Sequence, residues 1–202
     1  MKEMFIFAGP NGSGKSTVVN SYIELGLCAK NFICPDNFVA AENKDKFEPY
    51  IAAMQKAEAV RYQEVALGNS FSFETVLSTH QKLAFIRYAK LQGYIVHTYY
   101  ISTESPEINI NRVKERVLHG GHDVPREKII SRYEKSMQMM FDVAQESDFT
   151  DFFDNSTNKH FWVGAKIRDL LFVDDLKNAP NWFLNYYLSK EREKGTFINS
   201  LT

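Results

Sequence analysis

Short apolar runs alternate along the chain with longer stretches whose apolar positions recur every three or four residues. That alternation predicts an α/β fold, with parallel strands joined by crossover helices. The first run, residues 4–8 (Met-Phe-Ile-Phe-Ala), suits a buried strand. A helix is expected over 17–25, then a short second strand over 31–34, closed by Pro35, which cannot donate to a ladder. Ile51, Met54, Ala57, Val60 and Val65 mark a long helix over 47–67, ended by Gly68-Asn69. Phe71 and Phe73 alternate in a third strand at 70–74, and a helix over 79–91 stops at Gly93. The β-branched and aromatic run 94–101 is the clearest strand in the chain. Ser105 as cap and Pro106 in the first turn open a helix that ends at Gly120-Gly121. A further helix covers 126–145 and a fifth strand 149–153. Residues 160–173 have the mixed alternation of a short hairpin, and 180–191 form a terminal helix with Trp182, Phe183 and Tyr186 as its packing face. Residues 196–202 are expected to fray. This gives one main domain over 1–175, with a C-terminal helix and tail (176–202) packed on it.

Composition narrows the picture only a little. The chain has 202 residues, 44% of them hydrophobic, enough for one domain with a sizeable core. A net charge of −1 offers no broad electrostatic footprint for nucleic acid or a membrane surface. No apolar run approaches the roughly 20 residues that span a bilayer, and the N-terminal run is too short for a signal peptide. Cys28 and Cys34 lack metal-ligand spacing and read as ordinary thiols in a reducing compartment, with a disulfide between them as the lesser alternative. A cytoplasmic location is expected.

Candidate chemistry begins where the first strand ends. Gly9-Pro10-Asn11-Gly12-Ser13-Gly14-Lys15-Ser16-Thr17 fits G-x-x-x-x-G-K-[ST] between a strand and a helix, the context that gives this pattern meaning. Its glycines let successive N–H groups face phosphate oxygens at the positive end of a helix. Lys15 would reach the β- and γ-phosphates, and the Ser16 hydroxyl would ligate Mg²⁺, so ATP or GTP binding is expected, with ATP favoured. In a parallel sheet, ligands bind at the carboxyl ends of the strands. That rule selects Asp36, the pair Glu74-Thr75, Ser102-Thr103-Glu104 and Asp154-Asn155-Ser156. Carboxylates there can orient a hydroxyl, take its proton, or hold Mg²⁺ through water.

Phosphoryl transfer also needs positive charge around the moving group. Arg112 and Arg116 share one helix face, and Arg126 and Arg132 follow the Gly-Gly loop. This helix–loop–helix, residues 105–146, is compatible with a lid closing over phosphates. It is equally compatible with surface arginines paired to Glu115, Glu127 and Glu134. His119-Gly120-Gly121-His122 lacks further ligands nearby and reads as loop polarity rather than a metal site. Met137, Met139 and Met140 read as helix packing.

The ordered set comprises the phosphate loop, Pro35-Asp36, Ser70-Phe71-Ser72-Phe73-Glu74-Thr75-Val76-Leu77-Ser78, Arg112-Val113-Lys114-Glu115-Arg116-Val117, Gly120-Gly121-His122-Asp123-Val124-Pro125, Ile130-Ser131-Arg132-Tyr133 and Asp154-Asn155-Ser156. Over residues 4–156 it resembles the zeta-toxin family and its chromosomal relatives. The resemblance implies a P-loop NTPase fold of the kinase type: a five-stranded parallel core with helices on both faces and an arginine-bearing helical lid. It implies Mg²⁺-dependent transfer of the ATP γ-phosphate to a hydroxyl of a small molecule, UDP-N-acetylglucosamine first among acceptors, and a small antitoxin as partner. By position it makes Asp36 the base for the acceptor hydroxyl. Glu74 and Thr75 become substrate contacts, with Glu74 also near Mg²⁺. Arg116 becomes a transition-state arginine, and Arg132 or Arg126 the second, with Arg132 taken here beside Lys15 and Arg112. Gly9 and the run Asn11, Gly12, Ser13, Gly14, Lys15, Ser16 and Thr17 cradle the nucleotide. Two other readings stay open: a kinase for a different hydroxylated metabolite, and a nucleotide-dependent switch or ATPase acting through a protein partner.

Overall fold

The computed structural model describes residues 1–38, 47–121, 123–157 and 159–201. Five strands, β1 (Glu3–Ala8), β2 (Phe32–Ile33), β3 (Phe71–Thr75), β4 (Ile95–Ser102) and β5 (Phe149–Asp154), lie parallel in the order β2-β3-β1-β4-β5. The helices between them are α1 (Lys15–Glu24), α2 (Phe47–Leu67), α3 (Gln81–Leu91), α4 (Pro106–Leu118) and α5 (Arg126–Glu146), and a 3-10 turn, Pro35–Phe38, follows β2. The five-stranded parallel core expected from the hydrophobic pattern is present. β1 lies at its centre because apolar side chains on both of its faces need cover from both sides. Met4, Ile6 and Ala8 point toward a cluster built with α2, α3 and α5, and Phe5 and Phe7 toward Val18 and Val19 of α1.

The sheet continues beyond the core. β6 (Phe161–Ile167) runs antiparallel to β5, and β7 (Leu170–Val173) antiparallel to β6, which is the hairpin expected over 160–173. A C-terminal helix, α6 (residues 181–194), then returns over the sheet and has a π-helical middle at Leu184–Leu188. Trp182, Phe183, Tyr187 and Leu188 are buried in the same cluster as β1 and β4; of the expected packing face Tyr186 is only half-buried against that cluster, and Tyr187 takes the interior position. Met137, Met139 and Met140 are buried there too. Cys28 and Cys34 are buried free thiols. Among the described residues, no helix is long and apolar enough to cross a membrane.

Two local expectations are corrected. Ser105 is extended at the start of α4, but its hydroxyl caps nothing; Pro106 alone sets the entry. The last residues do not all fray: Ile198–Ser200 form β8, parallel to β7. The reason is Glu191, a fully buried side chain that accepts hydrogen bonds from Gln145 Nε2 (2.6 Å), Tyr187 Oη (2.8 Å) and the Thr196 hydroxyl. It fastens the chain where it leaves α6 and so directs the tail onto the sheet edge. Glu191→Gln keeps the shape but places an amide N–H₂ among donors. A loss of about 2 kcal/mol is expected, or roughly 4–8 °C in Tm by thermal denaturation. An unchanged Tm would mean that the tail docks without this clasp.

Candidate active site

The phosphate loop leaves β1 at Ala8 and must turn at once beneath β4. Gly9 has φ +143°, and a Cβ on it would overlap the carbonyl oxygen of Ile101, so no other residue fits. Its N–H donates to Thr75 O (3.2 Å), which ties the loop to the end of β3. Gly14 has φ +92° at the start of α1, with the Asn155 side-chain amide packed where a Cβ would stand. Ser13 N–H donates to Pro10 O (3.3 Å), and the buried Ser13 hydroxyl has no hydrogen-bond partner among the described residues. Lys15 folds back into the loop, only 8% exposed, and its ammonium donates to Pro10 O (2.8 Å). Burial pushes its pKa down to about 8; Glu74 opposes the shift, while the positive fields of Arg116 and Arg132 add to it.

Parallel register places Glu74 opposite Phe7 and Thr75 opposite Ala8, so the end of β3 stands beside the loop. The Ser16 hydroxyl donates to Glu74 Oε2 at 2.9 Å. Thr75 Oγ1 accepts the Leu77 N–H (3.1 Å) and so stabilises a turn in which Leu77, buried, takes φ +56°. A left-handed non-glycine residue costs about 1–2 kcal/mol, and burying the leucine side chain offsets it. Asp36 is exposed in the turn after β2. β2 pairs with β3, so this turn and Glu74 stand at the ends of adjacent strands; burial raises the Cys34 thiol pKa, the Glu74 and Asp36 carboxylates push it further up, and backbone hydrogen bonds at Asn37 and Asp36 oppose the shift.

The helix pair α4–α5 has a small core of its own, Ile110, Val113, Val124 and Ile129. Arg112 donates from Nη2 to Thr157 O (2.8 Å), while its buried Nη1 has no hydrogen-bond partner among the described residues. Arg116 is exposed on the same face, near enough to depress Lys15, and the loop packs on it where Gly121 N–H donates to Arg116 O (2.9 Å). Arg132 reaches the phosphate loop, with Nη1 donating to Asn11 Oδ1 (3.2 Å). Arg126 is exposed in the first turn of α5, so of the two candidates Arg132 is the one that contacts the loop. His119 bonds Glu115 O through Nδ1 (2.8 Å), and His122 lies outside the described residues.

One loop-contacting residue, Asn109, escaped sequence reasoning, and a second, Asn155, was singled out without this role. Asn109, fully buried, donates to Asn11 O (2.7 Å). Asn155, selected as a strand end and within the set that carries the resemblance, donates to Ser13 O (2.8 Å). The one available signal for Asn109 was a poor helix former three residues before Arg112 on the same face. Asp154 turns out to be structural: it accepts from Trp182 Nε1 (2.7 Å), Ser156 N (2.8 Å) and the Ser156 hydroxyl (2.9 Å).

This strand order, with a phosphate loop after β1 and an arginine-bearing helix pair after β4, defines a P-loop fold of the kinase type. Solved structures at low sequence identity share this fold. No family model matches the chain. An uncharacterised protein of Haemophilus influenzae is 29% identical over 130 residues, covering 63% of this chain and 89% of that protein. The crystal structure of AvrRxo1-ORF1 with AvrRxo1-ORF2 and ATP superposes with a TM-score of 0.65 at 15% identity, covering 83% of this chain. This chain spans 59% of that one's length. A structure from the PezAT chromosomal toxin–antitoxin system of Streptococcus pneumoniae superposes with a TM-score of 0.56 at 17% identity, covering 77% of this chain and 69% of that one.

Proposed function

We propose that this protein is an ATP-dependent, Mg²⁺-requiring phosphotransferase of the zeta-toxin type, acting in the cytoplasm on a hydroxyl of a small molecule. The observation that carries the reading is the convergence of Lys15, Ser16 and Glu74 with Arg116 and Arg132 on one glycine-shaped loop, with Asp36 in the turn after the neighbouring strand β2. Burial depresses the lysine and the nearby Arg116 and Arg132 add to the shift, an arrangement that a polyphosphate relieves. The Ser16 hydroxyl and Glu74 carboxylate, in direct contact, are the hard oxygen donors Mg²⁺ prefers.

Within that reading, residues 11–17 hold the phosphates of ATP, and Ser16, with Glu74 through water, holds the ion. Bound Mg²⁺–ATP supplies the phosphoryl group and part of the charge neutralisation. Lys15 and Arg116 face the charge that develops between donor and acceptor, and Arg132 moves from Asn11 onto the same oxygens as the lid closes. Asp36 orients the acceptor hydroxyl and takes its proton. Glu74 and Thr75 border the acceptor, although the Thr75 hydroxyl also has the turn to stabilise. Arg112, whose Nη1 has no hydrogen-bond partner among the described residues, is assigned to the nucleotide. UDP-N-acetylglucosamine is the first acceptor to try. The AvrRxo1 and PezAT neighbours are both two-protein systems, which supports a small antitoxin as partner.

Incubation with γ-labelled ATP, Mg²⁺ and a panel of hydroxylated metabolites, led by UDP-N-acetylglucosamine, tests the proposal. A labelled small molecule is expected, and Asp36→Asn should slow its formation by about a hundredfold while ATP still binds. ATP turnover without a labelled acceptor, indifferent to Asp36→Asn, would favour the nucleotide switch instead.

A further inference from the structure

Two asparagines, Asn109 fully buried and Asn155 half-buried, each grip one carbonyl of the phosphate loop. Asn109 is completely buried four residues into α4. A backbone carbonyl can only accept, so the Asn109 Nδ2 that lies 2.7 Å from Asn11 O must be its amide nitrogen. Its oxygen then faces the Thr103 hydroxyl at the end of β4, in a hydrogen bond to that group. Thr103 is held in turn, its carbonyl accepting from Tyr133 Oη on α5 (2.6 Å). The Asn109 backbone also lies directly on the loop: a Cβ at Gly12 would come within 2.6 Å of Asn109 O. At the second carbonyl, Asn155 Nδ2 donates to Ser13 O (2.8 Å), while Asn155 N–H is anchored on Ser102 O (2.8 Å).

The consequence follows from peptide planarity. In a trans peptide the carbonyl of one residue and the N–H of the next point in opposite directions. Drawing Asn11 O toward Asn109 turns the Gly12 N–H the other way, and drawing Ser13 O toward Asn155 does the same for the Gly14 N–H. Both carbonyls are thus pulled out of the loop, and two N–H groups are turned into it. An anion cradle needs that orientation, and left alone a glycine-rich segment would sample many others. Asn109 also shares its helix face with Arg112 and Arg116, three and seven positions on, so the residue that orients the loop belongs to the element that carries the lid arginines.

We infer that Asn109 and Asn155 are positioning residues that pre-orient the loop N–H groups for a nucleoside di- or triphosphate, each acting through one loop carbonyl. The inference rests on the nucleotide-binding part of the proposed function but not on any acceptor. Equilibrium binding of ATP and of ADP to the purified full-length chain, read as both affinity and number of sites, tests it. Asn109→Ala and Asn155→Ala are each expected to weaken both nucleotides about tenfold with close to one site per chain retained. The pair together should approach a hundredfold, because each acts on a separate peptide. Thr103→Val, which leaves the Asn109–Asn11 bond in place, should weaken binding less than Asn109→Ala. A merely structural role would instead lower the number of competent sites at unchanged affinity, and that result overturns the inference. Unchanged affinity in both variants overturns it as well. Should Asn109→Ala not fold, Asn155→Ala carries the same test at the second carbonyl. Failure of the unmodified protein to bind either nucleotide would instead refute the proposed function.

Discussion

Lys15→Met is expected to lower phosphoryl transfer by at least about a thousandfold, close to 4 kcal/mol of transition-state stabilisation, with the fold intact. Lys15 is the buried cation at the centre of the loop, and its ammonium already has Pro10 O as a local partner, so little in the fold depends on its charge. Its charge should matter for the polyphosphate. The lysine pKa sits near 8 rather than 10.5, chiefly through burial, with Arg116 and Arg132 contributing. Between those values the unfolded chain keeps a proton that the folded one has released, so this residue's contribution to stability rises with pH across that window. Below about pH 8 it is charged and its burial penalty is fully present. A bound polyphosphate favours the charged form, so binding between pH 8 and 10 takes up a proton and nucleotide affinity should fall as pH rises there. The Met variant should lack that dependence. Calorimetric titration of ATP at several pH values, with transfer assays beside it, measures both effects. Transfer within tenfold of wild type in Lys15→Met would sink the assignment of Lys15.

Trp182→Ala is expected to be the most damaging single change to the fold, destabilising by about 4 kcal/mol and lowering Tm by roughly 8–16 °C. Trp182 is 2% exposed, with its ring centroid 5.9 Å from those of both Tyr100 and Phe183. Its indole N–H donates to Asp154, which is itself only 2% exposed. Truncation removes that large contact area and leaves the buried carboxylate short of a donor. Trp182→Phe keeps most of the area and loses mainly the hydrogen bond, so a smaller fall of about 1–2 kcal/mol is expected. Urea denaturation of the two variants separates packing from hydrogen bonding. A loss below about 1 kcal/mol for Trp182→Ala would mean that α6 is peripheral to the core. Asp154 immediately precedes Asn155, so the same contact joins the C-terminal helix to the segment that grips Ser13.

The parts of the fold that were legible are those whose signal is local. β1, α2 and β4 announced themselves through composition and period, because a strand buried on both faces has to be apolar throughout and a helix repeats every 3.6 residues. β8 was not legible. Thr-Phe-Ile-Asn-Ser has little pattern, and what holds it is a buried carboxylate on the preceding helix and an open edge on β7. The site divides in the same way. Lys15, Ser16, Glu74 and Asp36 follow from a motif and the strand-end rule. The choice between Arg126 and Arg132 did not, because six residues along a helix amount to about 9 Å of rise, and only the packing of α5 on α4 shows which of them meets Asn11.

By itself the sequence determined a parallel sheet of crossover units, a glycine-shaped loop with the phosphate-binding pattern after the first strand, and carboxylates and arginines at the strand ends around it. Each is a property of neighbours in the chain: periodicity, a turn that admits only glycine, residue types at set spacing. Tertiary structure alone decided that Lys15 is buried and depressed, that Asp154 belongs to Trp182, that Arg132 docks on Asn11, and that Asn109 and Asn155 hold the loop carbonyls. Those facts depend on groups up to 142 residues apart meeting within hydrogen-bond distance. No local pattern encodes such meetings, because burial and partner are set by which helix lies against which strand once the core has formed.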